Sequence, residues 1–244
     1  MRRRLSDKLL PKTLLYQPLD GYCYNSDTLC LYAFAKLFIK KQASLLEVGS
    51  GCGVLGILLA KALPIALTQI EVQELFFFLT TKNCENNGIQ SNVILGDFLI
   101  EKYADKYDYI VSNPPFYHSG VVKARSEHKN ICKINSYLPM ESFFKKVSQC
   151  LTPKGEFIFC YDASQITQIL TTLNDHKLGV EHLQFVYPKP NTNASLVLVR
   201  AKKSSQSLAK ILPSLVAINE NNEPTKTMQK IYTQSNTNTI KCTL

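Results

Sequence analysis

Residues 45–56 read "LLEVGSGCGVLG", and this stretch decides how the rest of the chain is read. The apolar run "SLLEV" (44–48) has the look of a buried strand, and it ends in Gly49, Gly51 and Gly53. An apolar helical run, "GVLGILLAKAL" (53–63), follows at once. Glycines at such a junction permit positive φ and let the backbone come close to a ligand. The helix that opens there offers N–H groups with no partner inside the helix. Strand, glycine turn and helix together form the opening unit of a doubly wound sheet, which binds ligands at the C-terminal ends of its strands.

Working outward, the same alternation continues to about residue 200. "IALTQIEV" (65–72) reads as a strand and "QELFFFLTTKNCENNG" (73–88) as a helix closed by Gly88. "SNVILGD" (91–97) and "KYDYIVSN" (106–113) read as strands, and "MESFFKKVSQCL" (140–151) as a helix. A "TPKG" turn leads into the strand "EFIFCY" (156–161), and "SQITQILTTLNDH" (164–176) is a helix. "VEHLQFVYPK" (180–189) and "ASLVLVRAK" (194–202) are closing strands with no helix between them, which suggests an antiparallel pair at one edge. The pattern predicts an α/β fold with a mostly parallel sheet and helices on both faces. Three regions follow: a basic arm with a turn and helix over 1–44, the α/β domain over 45–200, and a polar, partly disordered extension over 201–244.

The glycine turn alone names its ligand only coarsely. Gly51, Gly53 and Gly56 satisfy G-x-G-x-x-G, and Glu71 stands about 20 residues further on, where an acidic side chain can accept from ribose hydroxyls. That pattern indicates a nucleoside-containing cofactor. Glu47, two residues before the first glycine, tilts the choice by its sign. A carboxylate there repels a pyrophosphate and suits a cation. S-adenosylmethionine carries a sulfonium and an ammonium and no phosphate. The plainer alternative for Glu47 is a solvated strand end. Asp97, in "GDF", is placed to accept from the cofactor's adenine amine; taken singly it is an ordinary turn residue. Its weight comes from the series, since Glu47, Glu71 and Asp97 each end one of three successive strands.

The fourth strand brings "NPPF" (113–116) to the same edge. Two adjacent prolines cannot continue a ladder, because neither has an N–H to donate. An exocyclic amine on an aromatic ring is a poor nucleophile, its lone pair being delocalised. Two acceptors for its two hydrogens favour pyramidalisation and aim the lone pair outward. The side-chain oxygen of Asn113 and the carbonyl of Pro114 are such acceptors, and Phe116 offers a face for a base to stack on. A sulfonium methyl is already activated, so positioning carries most of the catalysis and no metal is needed.

These motifs at these spacings resemble the class I S-adenosylmethionine-dependent methyltransferases that modify planar nitrogens. Within that class, "YQPLDGYCYNSDTLCLYAF" (16–34), "KARSEH" (123–128), "YPKPNTNASLVLVRAKK" (187–203) and "VAINENNEPTKTMQKIY" (216–232) are similar to the bacterial tRNA adenine-N6 methyltransferases acting at position 37 of valine tRNA. The resemblance implies the Rossmann-like methyltransferase fold with a seven-stranded sheet. It implies cofactor contacts from Asp27, Glu47, Gly49, Gly51, Glu71, Asp97 and Asn113, a lid-like role for the segment before the glycine turn, and target contacts from Asn113, Pro114 and Phe116. Phe116 stands where many relatives carry tyrosine. Nothing is implied for "MRRRLSDKLL" or for the last polar stretch.

Composition sets the remaining bounds. The 244 residues are 45% hydrophobic, with no apolar run of membrane-spanning length. The basic start lacks the apolar core and cleavage site of a secretory signal. The eight cysteines show no C-x-x-C and no zinc spacing, so a cytoplasmic, metal-free monomer is expected. The net charge of +9 favours a polyanionic partner. The segment after NPPF is long and basic, and Lys123, Arg125 and Lys129 are candidate phosphate contacts; a solvated loop is the alternative. The leading reading is therefore RNA adenine-N6 methylation with tRNA as substrate. Glutamine-N5 methylation of a protein and guanine-N2 methylation of rRNA use the same amide grip and stay open. A nicotinamide-dependent oxidoreductase leaves NPPF unexplained, and a non-catalytic RNA-binding module would be separated by a methyl-transfer assay.

Overall fold

A computed structural model describes residues 12–19, 23–102, 106–115 and 138–243. In chain order its elements are β1 (Thr13–Pro18), α1 (Ser26–Ala35), β2 (Ser44–Val48), α2 (Val54–Ala62), β3 (Ala66–Glu71), α3 (Glu74–Asn86), β4 (Ser91–Leu95) and β5 (Tyr107–Ser112). There follow α4 (Met140–Cys150), β6 (Leu151–Asp162), a short 3-10 turn (Ala163–Gln165), α5 (Ile166–Asp175), β7 (Leu178–Tyr187) and β8 (Leu196–Lys203). The chain closes with β9 (Lys210–Ile211), β10 (Leu215–Val216), α6 (Lys226–Ser235) and β11 (Thr237–Cys242).

Period-2 alternation sorts the strand residues onto two faces, and both faces are apolar. In β6, Phe157, Phe159 and Tyr161 enter one cluster while Ile158 and Cys160 enter the other. The first cluster is closed by α4, whose Met140, Phe143, Phe144 and Val147 recur at helical spacing and are buried. Phe157 is wedged edge-on between Phe143 and Phe144, at 5.5 and 5.4 Å between ring centroids. The opposite face is covered by α1, α2 and α3. α2 is apolar nearly all round because it lies between the sheet and other helices.

The sheet runs β4-β3-β2-β5-β6-β8-β7-β10, with β9 also paired to β7. β2 to β6 pair in parallel, and β8 runs antiparallel between β6 and β7. The seven expected strands are present; β9 and β10 extend the outer edge of β7 and make nine among the described residues. The expected "TPKG" turn is a kink inside β6, with Lys154 at φ 121° and a register shift against β5.

The two chain ends depart from the sequence reading. β1 pairs in parallel with β11, Thr13 opposite Thr237 through Pro18 opposite Cys242. Residues 201–243, expected to be partly disordered, carry β9, β10, α6 and β11. The reason is local as well as tertiary. Thr225 caps α6 by accepting from Met228 N–H, and Met228 and Ile231 then bury on α1, with Met228 Sδ 3.7 Å from Cys30 Sγ. The other edge of β1 is held by side chains of α3 and its C-cap. Asn83 accepts from Tyr16 N–H at 2.7 Å and donates to Tyr16 C=O at 2.9 Å. Asn87 does the same at Leu14, at 3.1 and 2.7 Å. Two amides one helical turn apart thus stand in for a neighbouring strand.

Candidate active site

The C-terminal ends of β2, β3, β4 and β5 open onto one cleft. Its walls are Val48, Gly49 and Gly51 from the glycine turn, Ile70 to Gln73 after β3, Gly96 to Phe98 after β4, and Asn113, Pro115 and Leu138. Gly49, Gly51 and Gly53 all have positive φ, at 68°, 55° and 76°. A Cβ at Gly49 or Gly51 would meet nothing within 4 Å, so these two lie bare beneath the cleft. Gly53 differs: a Cβ there would stand 2.9 Å from Thr80 Cγ2. The first two glycines leave room for a ligand, and the third leaves room for α3.

The turn is tethered from three sides. Gly49 and Ser50 N–H donate to Ile70 C=O at 3.0 and 3.1 Å. Thr80 Oγ1 donates to Gly51 C=O at 2.7 Å, and Asn83 donates to Cys52 C=O at 2.9 Å. Glu71 completes the frame: one carboxylate oxygen accepts from Gly51 N–H at 2.8 Å, the other from Val72 and Gln73 N–H at 2.9 and 3.0 Å. Burial raises the Glu71 pKa, against the lowering effect of these three N–H groups. Glu71 thus lines the cleft and also fixes the loop around it. Asp97 lines it too, and its Oδ1 accepts from Leu99 N–H at 2.8 Å.

Glu47 does not line the cleft wall. Its side chain is buried beneath the turn, where one oxygen accepts from Gly56 N–H at 3.0 Å and from Gln69 Nε2 at 2.6 Å. A Cβ at Gly56 would come within 2.5 Å of that oxygen, so the third glycine of the apparent fingerprint serves the carboxylate and not a pyrophosphate. Burial pushes the Glu47 carboxyl up to about 8. Asp27 is also outside the wall. It lies in the first turn of α1, its carboxylate accepting from Asn25 Nδ2 at 2.7 Å, and burial raises its pKa.

Asn113 reaches the cleft from the end of β5, which Ser112 ties to β2 by donating to Val48 C=O at 2.8 Å. Pro114 is buried, and Pro115 is the proline of the wall. Phe116, Lys123, Arg125 and Lys129 lie outside the described residues. Among the described residues no group of three His, Cys, Asp or Glu side chains could hold a metal ion. No described helix is long and apolar enough to cross a membrane.

Residues 28–182 match the model of the family described as the methyltransferase small domain. The chain belongs to that family. It is an enzyme, and its methyl donor is S-adenosylmethionine. Methyltransferases named tRNA1(Val) (adenine(37)-N6)-methyltransferase are its relatives. That of Pedobacter heparinus is 28% identical over 173 residues, covering 68% of this chain and 71% of the relative. That of Flavobacterium psychrophilum is 23% identical over 169 residues, covering 67% and 72%. Among solved structures, a predicted O-methyltransferase of Agrobacterium tumefaciens superposes with a TM-score of 0.68 at 14% identity, over 88% of this chain and 100% of that one. A SAM-dependent methyltransferase of Aquifex aeolicus reaches 0.52 at 14% identity, over 70% and 88%. These structures share the fold.

The residues present fit such a donor. The cleft combines bare glycine backbone, acceptor carboxylates of Glu71 and Asp97, and the apolar side chains of Ile70, Val72 and Phe98. Among the described residues this is a set for hydroxyls, an amine and a flat ring, with no lysine or arginine on the wall. Sequence reasoning missed Thr80, Asn83 and Gln69, which hold the turn and Glu47.

Proposed function

We propose that this methyltransferase transfers a methyl group to the N6 amine of adenine in RNA, with tRNA as substrate and, following its relatives' names, adenine 37 of valine tRNA as target. The observation that carries the reading is Asn113, an uncharged amide on the cleft wall directly beyond the glycine turn, continued by Pro114 and Pro115. Glu71 accepts from ribose hydroxyls and Asp97 from the adenine amine of the cofactor, while Gly49 and Gly51 leave its path open. Asn113 Oδ1 and the Pro114 carbonyl accept the two hydrogens of the target amine, and Phe116 stacks on the target base. S-adenosylmethionine supplies an electrophilic methyl on sulfur. With that donor bound, the lone pair of the nitrogen held by Asn113 and Pro114 would take the methyl as its bond to sulfur breaks, and the amine proton would leave to water. The chain's part is to bring the amine in line and hold it there. Lys123, Arg125 and Lys129 contact tRNA phosphates, and the protein works as a cytoplasmic monomer.

The test is methyl transfer from labelled S-adenosylmethionine into unmodified tRNA, rRNA and a release factor, followed by digestion and mass spectrometry. Label in N6-methyladenosine from tRNA is the expected result. Label in N2-methylguanosine or in glutamine would keep the grip of Asn113 on a planar amine and replace the substrate.

A further inference from the structure

Asn113 does not stand alone at the cleft. Its Nδ2 donates to Thr28 Oγ1 at 3.1 Å, and its Oδ1 accepts from Cys160 Sγ at 3.0 Å. Thr28 belongs to α1 and is 5% exposed; Cys160 belongs to β6 and is fully buried. A primary amide has two N–H groups and two oxygen lone pairs. Thr28 and Cys160 take one of each, leaving one lone pair and one N–H. We infer that Thr28 and Cys160 are positioning residues, which hold the Asn113 amide in the orientation that leaves its free oxygen lone pair for the target amine. This rests on the reading that Asn113 grips a planar amine, whichever substrate carries it.

Three features support the assignment. The contacts come from opposite directions in the chain, 85 residues before Asn113 in one case and 47 after it in the other, and both converge on one side chain. Burial holds the Cys160 thiol well above its ordinary range, so it keeps the proton it donates. Sulfur is a weak acceptor, so an amide turned over would set an N–H against a poor partner. An amide free to turn over would present N–H to the incoming amine, donor against donor, for part of the time. Thr28 also links the site to the N-terminal segment, since it is fixed by the capping of α1 at Asn25.

The test compares Thr28→Val and Cys160→Ala with Thr28→Ser and Cys160→Ser, in the full chain. Loss of one hydrogen bond at the amide should lower kcat roughly 10-fold in the first pair. The cofactor Kd should stay within about twofold, because neither residue lines the cofactor side. Thr28→Ser, which keeps the acceptor hydroxyl, should recover at least half of the rate, whereas Cys160→Ser keeps the donor but adds a good acceptor and should recover less. In an Asn113→Ala background, Thr28→Val should have no further effect. A second readout needs no substrate: hydrogen exchange of the Asn113 side-chain NH2, followed by NMR and assigned by its loss in Asn113→Asp. It should be faster in Thr28→Val and Cys160→Ala than in the wild type. Unchanged exchange in both variants would overturn the inference even if tRNA proved to be the wrong substrate. A rate loss that persists in the Asn113→Ala background would overturn it as well.

Discussion

The glycine turn and the Asn113 end of β5 stand side by side at the floor of one cleft, yet they are built differently. The turn is held mainly through its own backbone. Ile70, Thr80, Asn83 and Glu71 all bond to main-chain groups of residues 49–52. Asn113 is held through its side chain, by one hydroxyl and one thiol from remote elements. A backbone cradle accepts many sequences around the same glycines and suits a cofactor that never changes. A single amide fixed at its tip suits a target that must be gripped at one nitrogen. The comparison implies that the two sides can be damaged separately.

The largest separate damage should come from Asn83→Ala. This buried side chain serves Tyr16 N–H, Tyr16 C=O and Cys52 C=O together, so its loss strands three groups. We expect a destabilisation of about 3–4 kcal/mol, with cofactor binding lost in parallel, checked by urea melts and calorimetry. A variant as stable as the wild type would mean that α3 is not what tethers the turn. Next is Gly53→Ala, with φ at 76° and Thr80 Cγ2 in the way. It should cost roughly 1–3 kcal/mol and weaken the cofactor, whereas the rate at saturating cofactor should recover partly. Asp97→Ala should be milder, raising the cofactor Kd on the order of 10-fold with Tm nearly unchanged. An unchanged Kd would remove Asp97 from the cofactor site.

The last prediction concerns Glu47 and sharpens the comparison from beneath the turn. Its folded pKa is raised to about 8 by burial, so between its ordinary range and that value the folded state binds the extra proton. Stability from this group is therefore full at low pH and is lost as pH rises from about 4.5 toward 8. Glu47→Gln keeps an acceptor for Gly56 and Gln69 and should flatten the fall in Tm across that window. A wild-type slope in the variant would show that Glu47 is not its source.

The same difference explains what was legible in the sequence. The strand–turn–helix unit, the carboxylates of Glu71 and Asp97 and the position of Asn113 follow from residues close together in the chain and from periodicity. Glu47 is legible as a strand-end carboxylate, but its partners Gly56 and Gln69 are not, because period-2 alternation gives the face of a residue and not the partner waiting there. Asn83, Thr80, Thr28 and Cys160 act across the fold, and Cys160 sits 47 residues from the amide it serves. Their types are ordinary for core or helix surface, so nothing local marks them. The C-terminal extension looked too polar to fold; Thr225 followed by Met228 and Ile231 was its capped, one-sided helix signal. Its pairing with β1 joins the two ends of the chain and is not written in either end alone.

The central claim is that the two sides of the cleft do separable work, and Asn113→Ala tests it most directly. The single-turnover rate of methyl transfer into tRNA and the cofactor Kd should be measured side by side in this variant and in the wild type. The account predicts a rate reduced by a factor on the order of 10² or more, with the Kd within about twofold. Normal turnover, or a Kd that worsens in step with the rate, would contradict it.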